Sequence, residues 1–336
     1  MIGLDIGSRT IKAAEIDRSG DKFYLKAAGV VGYSGPQMEA VQEDKDIAAI
    51  AGAVRKLFND AKIASKNVSI ALPEPQVFTR MIKFPSLSDQ EIASAVKWEA
   101  EQYIPIPLNE AIVQHQILER RDTATPPEVS VLLVAAPRVL VEKYIKVANA
   151  AKLSVVGVET EMLSVVRSLA PMNQTALLID FGARSTDLAI AKNGNLAFSR
   201  SIPTAGEAFT RAIAQSLGVA PAQAEEYKRT YGLSASQLEG KVGAAVDPIF
   251  RVVAEEIKKA IHFYQTEEKG EVPTSLILSG GTAGMPEATV RLTKILGMEV
   301  VIGNPFAKLS VDAKTSQSLA PYAPLYSIAV GLAMRS

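Results

Sequence analysis

The stretch IGLDIGSRTIKAAEID begins at residue 2, and LLIDFGARSTDLAIAKNG repeats its form from residue 177. Each is an apolar strand, then Asp-x-Gly, a short polar turn and a second apolar strand. Strands this apolar must be covered by a core, so the same hairpin recurring half a chain later calls for two similar layers. No shorter period is visible. The repetition is one large duplication, a hairpin and a following α/β layer in each half.

Strand and helix patterns alternate along the rest of the chain, the mark of an α/β protein. Met1–Ile6, Ile11–Asp17 and Phe23–Tyr33 read as a three-strand meander. Lys45–Ala61 carries Ile47, Ile50, Ala51, Val54, Leu57 and Phe58 at helical spacing, and Val68–Leu72 and Val77–Phe84 read as strands. From Ser86 the texture changes. Ser88 and Glu91 form a capping signal for a helix that should stop before Pro105. Strands at about Ala111–Arg120 and Glu128–Ala136, split by the turn RDTATPPE, a helix at Arg138–Ala151 and a strand at Ser154–Val158 complete an α-β-β-α-β insertion. The second half predicts helices at Gly206–Leu217, Ala220–Tyr231, Asp247–Glu268 and Pro286–Leu296, strands at Ser275–Ser279 and Glu299–Ile302, and a closing helix.

The 336 residues suit about two domains. The division expected is a first domain of residues 1–85 and 156–173, joined by the returning helix 322–335. An insertion follows at 86–155, and a second domain at 174–335. Basic and acidic residues balance at 36 each, which gives no electrostatic reason to expect nucleic acid or an acidic membrane as partner. Without cysteine there are no disulfides, thiolate metal sites or cysteine nucleophiles, and with only His115 and His262 a histidine-rich metal site is not expected. The chain enters a strand at once and has no apolar run near the ~20 residues needed to span a bilayer, so the expectation is a cytoplasmic protein.

A glycine in a tight turn lets backbone approach a ligand closely, and successive amide N–H groups can point at one anion. Gly7, Ser8, Arg9 and Thr10 could supply such amides with two hydroxyls, and Lys12 adds a positive charge for phosphate. Gly182, Ala183, Arg184 and Ser185 could do the same from the opposite side. A bare phosphate cradle has no use for an aspartate in each arm. A divalent cation between phosphates and carboxylates gives them one, and Mg²⁺ typically keeps most of its waters beside one or two carboxylates. Asp5 and Asp180 are therefore candidates for contacting hydrated Mg²⁺. The alternative is two ordinary hairpins whose Asp and Gly residues only shape turns. A third piece, LILSGGTAGMPEATVRL, ends a strand at Gly280-Gly281, a flat surface on which a base and ribose could lie.

These three pieces, in this order, resemble the actin–Hsp70–hexokinase superfamily, and the resemblance implies two RNase-H-like α/β domains hinged around an ATP cleft. Within it, GLDIGSRTIKAAEI, LLIDFGARSTDLAIAKNGNLAFSRSIPTAGEAFTRAI, AEEYKRTYGL, SGGTAGMPEATVRLTKILGMEVVIGNPF and YSIAVGLAMR resemble the PilM family of type IV pilus assembly proteins. The insertion lies where that family and FtsA carry their 1C subdomain. The resemblance implies that Asp5, Gly7, Ser8 and Lys12 serve a first phosphate loop, and Asp180, Gly182 and Ser185 a second. Gly280, Gly281 and Thr282 fall on the adenosine turn. Glu225 and Lys228 would flank ribose and base, or form only a charge pair on a solvated helix face. Gly206 would allow approach to the sugar. Glu159 aligns with the residue that orients water, or is a charged residue at a helix start.

As partners the resemblance implies the N-terminal cytoplasmic tail of PilN, held in a groove involving the insertion, and other inner-membrane pilus components, so that membrane association is indirect. Two other functions fit the same superfamily: a small-molecule (sugar) kinase, and a filament-forming protein of the FtsA or MreB type. Trp98 and Tyr103 on the insertion's first helix are expected in its core, since aromatic side chains usually bury area.

Overall fold

The computed structural model describes residues 1–121 and 126–335. Part of the turn expected at RDTATPPE therefore lies outside the described residues.

In the first half, β1 (Ile2–Ile6), β2 (Thr10–Ser19) and β3 (Lys22–Gly32) form an antiparallel meander. Helix α1 (Asp44–Asp60) follows, started by a reciprocal cap between Glu43 and Asp46, and buries Ile50, Val54, Leu57 and Phe58. Strand β4 (Asn67–Leu72) then pairs parallel to β1.

The insertion begins earlier than the sequence suggests and ends sooner. Strand β5 (Phe78–Pro85) already belongs to it, followed by α2 (Asp89–Tyr103), β6 (Ala111–Arg121) and β7 (Glu128–Pro137), and its sheet has the order β5-β7-β6. Helix α3 (Arg138–Ala150) instead packs Leu140, Tyr144 and Val147 into the first domain's core beside α1. Strand β8 (Ser154–Thr160) completes the first sheet against β4, giving the order β3-β2-β1-β4-β8. The apolar face of the insertion's small sheet that joins Val129, Val131 and Leu133 is covered by α2 through Ile92, Val96 and Ala100.

Trp98 and Tyr103 are not in that core. Helix α2 buries Ile92, Val96 and Ala100, one stripe at four-residue spacing, and this turns Trp98 outward at 70% exposure. Tyr103, 39% exposed, lies under the Arg80 guanidinium, 3.8 Å from its ring centre.

After α4 (Glu161–Leu169), the second half repeats the first. Strands β9 (Thr175–Phe181), β10 (Thr186–Lys192) and β11 (Asn195–Ile202) make the second meander. Helices α5 (Gly206–Leu217), α6 (Pro221–Tyr231) and α7 (Lys241–Thr266) follow, then β12 (Ser275–Ser279), α8 (Ala288–Leu296) and β13 (Glu299–Ile302). Helix α7 starts at Lys241, earlier than the Asp247 expected from the sequence, and holds Pro248 inside it at the loss of one backbone hydrogen bond. The sheet order is β11-β10-β9-β12-β13, the same arrangement of antiparallel and parallel neighbours as in the first. Its core gathers Leu177, Ile179, Phe181, Phe209 and Phe250.

Helix α9 (Ala313–Leu319), capped by Asp312, has no counterpart in the sequence reading. Helix α10 (Ser327–Ala333) returns to pack on β2 through Ala329, Val330 and Ala333. It also lies against α4: Ser168 Oγ donates to the Ser327 carbonyl at 2.8 Å, and Ile328 and Leu332 share a core with Met162 and Val165. The two helices join the halves behind the hairpins. Among the described residues, no helix is long and apolar enough to cross a membrane.

Candidate functional site

The β1–β2 and β9–β10 turns close in the same way. Gly7 N–H donates to the Thr10 carbonyl and Gly182 N–H to the Ser185 carbonyl, both at 3.1 Å. Those bonds occupy the glycine amides. The next two amides in each turn, those of Ser8, Arg9, Ala183 and Arg184, meet no protein acceptor among the described residues. Each turn thus presents a pair of free donors, the chemistry an anion needs.

Beneath the turns lies a cluster of buried charge. Asp5 and Lys12 face each other across β1 and β2, with Lys12 Nζ 2.8 Å from Asp5 Oδ2. Burial works against the ammonium, yet Asp5, with Asp180 and Glu161 further off, holds the Lys12 pKa above the ordinary lysine value. On the other side, burial and then Asp187 push Asp180 up to about 7. Burial likewise raises Asp187 to about 7, although the Ser201 and Ser185 hydroxyls pull the other way. Ser185 Oγ donates to Asp187 Oδ2 at 2.7 Å. Glu161, at the first turn of α4, is pushed well above the usual range by burial and by Asp187, Asp5 and Asp180.

Three carboxyl groups, those of Asp5, Asp180 and Glu161, therefore act on one ammonium, and Asp187 adds a fourth beside Asp180. That imbalance fits a divalent cation. Among the described residues no three acidic or histidine side chains stand close enough together to hold a bare metal ion. A hydrated Mg²⁺, contacted through its waters, is the form such a donor set suits.

A cavity of about 320 Å³ opens beside the turns, lined by Gly7, Ser8, Arg184, Ser185, Tyr144 and Glu161. Glu159 does not reach it. Its carboxylate is paired with Arg167 (Nη2 to Oε2 2.8 Å) and accepts from Ser164 Oγ at 2.7 Å. The residue that faces the turns is Glu161, two positions later, where β8 gives way to α4. The assignment of a water-orienting role to Glu159 is corrected accordingly.

The other expected contacts gather on the far side of the second turn. The Gly182 carbonyl accepts from Gly206 N–H at 3.3 Å and from Thr282 Oγ1 at 2.9 Å. Lys228 Nζ is buried and donates to the Gly206 carbonyl at 3.2 Å, Thr210 Oγ1 at 3.1 Å and Glu225 Oε2 at 2.7 Å. Glu225 and Lys228 are thus a partly buried network rather than a solvated pair. Burial lowers the Lys228 pKa despite Glu225. A Cβ on Gly206 would come within 2.5 Å of Thr282 Oγ1, so any side chain there would have to displace Thr282 where α5 meets the Gly280-Gly281 turn. Gly280 has φ +90° and packs on Phe181 and Asp180, and Gly281 is exposed beside it.

Two residues outside the expected set join the turns. Asp187 stands opposite Asp180 in the β9–β10 register. Glu207, at the start of α5, receives Arg9 Nε at 2.8 Å and lies 3.7 Å from Arg184 Nε, bridging the two turns.

A family profile described as type IV pilus assembly protein PilM matches residues 3–336. The chain belongs to the PilM family. Among solved structures it is similar to the PilM-PilN type IV pilus biogenesis complex, at 28% identity, covering 99% of this chain and 97% of that one, with a TM-score of 0.85. The ethanolamine utilization protein EutJ of Carboxydothermus hydrogenoformans shares the fold at 16% identity and a TM-score of 0.61, covering 100% of this chain and 89% of that one. MreB5 of Spiroplasma citri bound to AMPPNP does so at 14% identity and 0.55, covering 98% and 93%. By sequence the chain is similar to the cell division protein FtsA of Streptococcus pneumoniae, 24% identical over 90% of this chain and 75% of that protein. The fold is actin-like, and the protein is an actin-like member of the type IV pilus assembly apparatus.

Proposed function

We propose that the protein binds ATP with Mg²⁺ between its two turns and holds the N-terminal cytoplasmic tail of PilN in a groove involving the insertion. On this reading it works in the cytoplasm as part of the pilus inner-membrane platform, attached to the membrane only through partners. The observation that carries the nucleotide half is the facing pair of turns, each with two free amides, beside the Lys12 ammonium. The likeness over the whole chain to a PilM that was solved with PilN supports the partner.

Bound ATP·Mg²⁺ would supply a cation and a triphosphate, the cation offsetting part of the phosphate charge. The chain's own groups would do the holding. The amides of Ser8, Arg9, Ala183 and Arg184 and the Lys12 ammonium would bind phosphate oxygens. Asp5 and Asp180 would hold the waters of the cation, and Gly206, Gly281 and Thr282 would bed the nucleoside, with Glu225 and Lys228 beside it. Glu161 is the carboxyl nearest the role of orienting water. Burial and then the Asp187, Asp5 and Asp180 charges raise its pKa, which favours the neutral acid over the base that activating water needs. The reading is therefore of slow hydrolysis at most, with ATP acting as a structural ligand.

Titration calorimetry with ATP, with and without Mg²⁺, tests this. Lys12→Ala should weaken ATP by about tenfold or more, the worth of one charged hydrogen bond. It should also cost about 3–5 kcal/mol of stability, since Asp5 is left buried and alone. Affinity unchanged in a folded Lys12→Ala protein would remove the first turn from the site.

A further inference from the structure

The geometry points to Glu74 as a positioning residue that ties the occupancy of the turns to the orientation of the insertion. It would make the affinity for the PilN tail depend on nucleotide. This inference rests on the function proposed above and adds a means of regulation to it.

Glu74 lies in the crossover LPEPQ, which carries the chain from β4 of the first sheet to β5 of the insertion. It is 5% exposed, although both neighbouring prolines and Gln76 line the cavity that reaches Gly7 and Ser185. Only a few residues further on, Phe78, Arg80 and Met81 line a second cavity, of about 140 Å³, between the insertion and β11 of the second domain. The crossover thus borders the phosphate turns at one end and the contact of the insertion with the second half at the other.

Two reciprocal hydrogen bonds anchor it. Glu74 N–H donates to Glu161 Oε2 at 3.0 Å, and the Glu74 carboxylate accepts from Met162 N–H at 3.4 Å. Burial raises the Glu74 pKa, against the pull of the Ser199 hydroxyl, the Met162 amide and the Thr160 hydroxyl. Ser199 belongs to β11 and lines the second cavity. The Glu74 carboxylate therefore holds the start of the interdomain helix α4, while the crossover that carries it lies against β11, the edge of the second domain.

Glu161 is the shared element. The same side chain lines the cavity at the turns and accepts the crossover amide. Any change that draws Glu161 and the start of α4 toward the turns strains the Glu74 N–H bond, and the Glu74 carboxylate, held by Met162 N–H, makes the crossover follow α4. Pro73 and Pro75 fix φ on both sides, so the movement passes to β5 instead of being absorbed locally. The insertion then tilts against β11. Coupling between two sites is reciprocal and commonly amounts to a factor of about 5 to 150 in affinity.

The test is a binding cycle on the full chain. A synthetic peptide of the N-terminal cytoplasmic residues of PilN from the same organism is titrated alone and at saturating ATP·Mg²⁺. ATP is titrated separately. In the unaltered protein the two peptide affinities should differ by about fivefold or more. In Glu74→Ala the ratio should fall to within about twofold of one, with ATP affinity by itself changed less than about twofold. Glu74→Gln keeps an acceptor for Met162 N–H and should restore part of the ratio, a rescue that general loosening of the fold would not produce. If Glu74→Ala does not fold, a ratio reduced by about half in Glu74→Gln supports the inference. A ratio of one in the unaltered protein, or a ratio preserved in the folded variants, overturns it. Failure of ATP or of the peptide to bind alone shows in its own titration, and that outcome overturns the function proposed above together with the coupling.

Discussion

The two hairpins share a backbone and differ in charge. In both, Asp faces the residue seven positions later across the turn: Asp5 faces Lys12, and Asp180 faces Asp187. Both turns close with the same 3.1 Å bond, and both carry arginine four positions after the aspartate, Arg9 and Arg184. The first hairpin thus holds an ion pair and the second a pair of like charges. Duplicated geometry has been given unequal tasks. One arm brings the positive charge, while the other buries two carboxyls, and burial, with the charge of Asp187 adding to it at Asp180, raises both toward neutral pH.

The halves differ also in what joins their parallel strands. Only α8 lies between β12 and β13, whereas the whole insertion and α3 lie between β4 and β8. Making the first half resemble the second gives the largest expected effect. Phe78 pairs with Ala135 and Ala111 with Pro137, so the two ends of the insertion leave the first domain close together. Replacing Phe78–Pro137 by a short Gly/Ser linker should keep ATP binding and abolish capture of the PilN tail in a pull-down. Capture that survives would put the tail on the two-domain frame.

A subtler change acts on the like-charge pair. Asp180 and Asp187 both sit near 7 in the folded protein, above the 3.8 of an ordinary aspartate. Between about pH 4 and pH 7 the folded state then holds more protons than the unfolded chain, so stability falls as pH rises through that window. Asp187→Asn removes one of these groups and the repulsion on the other. Urea unfolding at pH 5 and pH 8 should show the loss shrink by about 1–3 kcal/mol. An equal loss in the variant would mean the pair does not titrate as its burial implies. In the unaltered protein ATP·Mg²⁺ should bind more tightly at pH 8 than at pH 6, because a cation prefers the ionised carboxylates.

The smallest effect is expected where the two turns touch. Glu207→Ala removes the bridge to Arg9 and Arg184, whose side chains are 64% and 53% exposed. Exposed ion pairs contribute little, so stability should drop by less than about 1 kcal/mol and ATP affinity by less than about threefold. A larger loss in calorimetry would show that the bridge sets the spacing of the turns.

Much of this comparison can be read in the linear chain. Asp-x-Gly between apolar strands is a local pattern, and its recurrence announces both the duplication and the two meanders. The seven-residue spacing from Asp180 to Asp187, matching that from Asp5 to Lys12, was a usable signal for Asp187. The cap at Asp312 was likewise a signal for α9. Glu161 had no such mark. Glu159 and Glu161 are both acidic residues where a strand ends, and the choice between them depends on Arg167, nearly two turns along α4, claiming the first. Trp98 was misplaced because aromatic content was weighed above the Ile92–Val96–Ala100 stripe.

Local patterns of strand, turn and cap settled the number of halves, the likeness of their sheets and the residues of both turns, since a hairpin needs only neighbours in the chain to form. Which carboxyl looks into the cavity, where the insertion ends and that Glu74 meets both α4 and β11 were settled by packing. Those contacts join segments far apart along the chain, and burial acts on a side chain only once its distant neighbours have excluded the water around it.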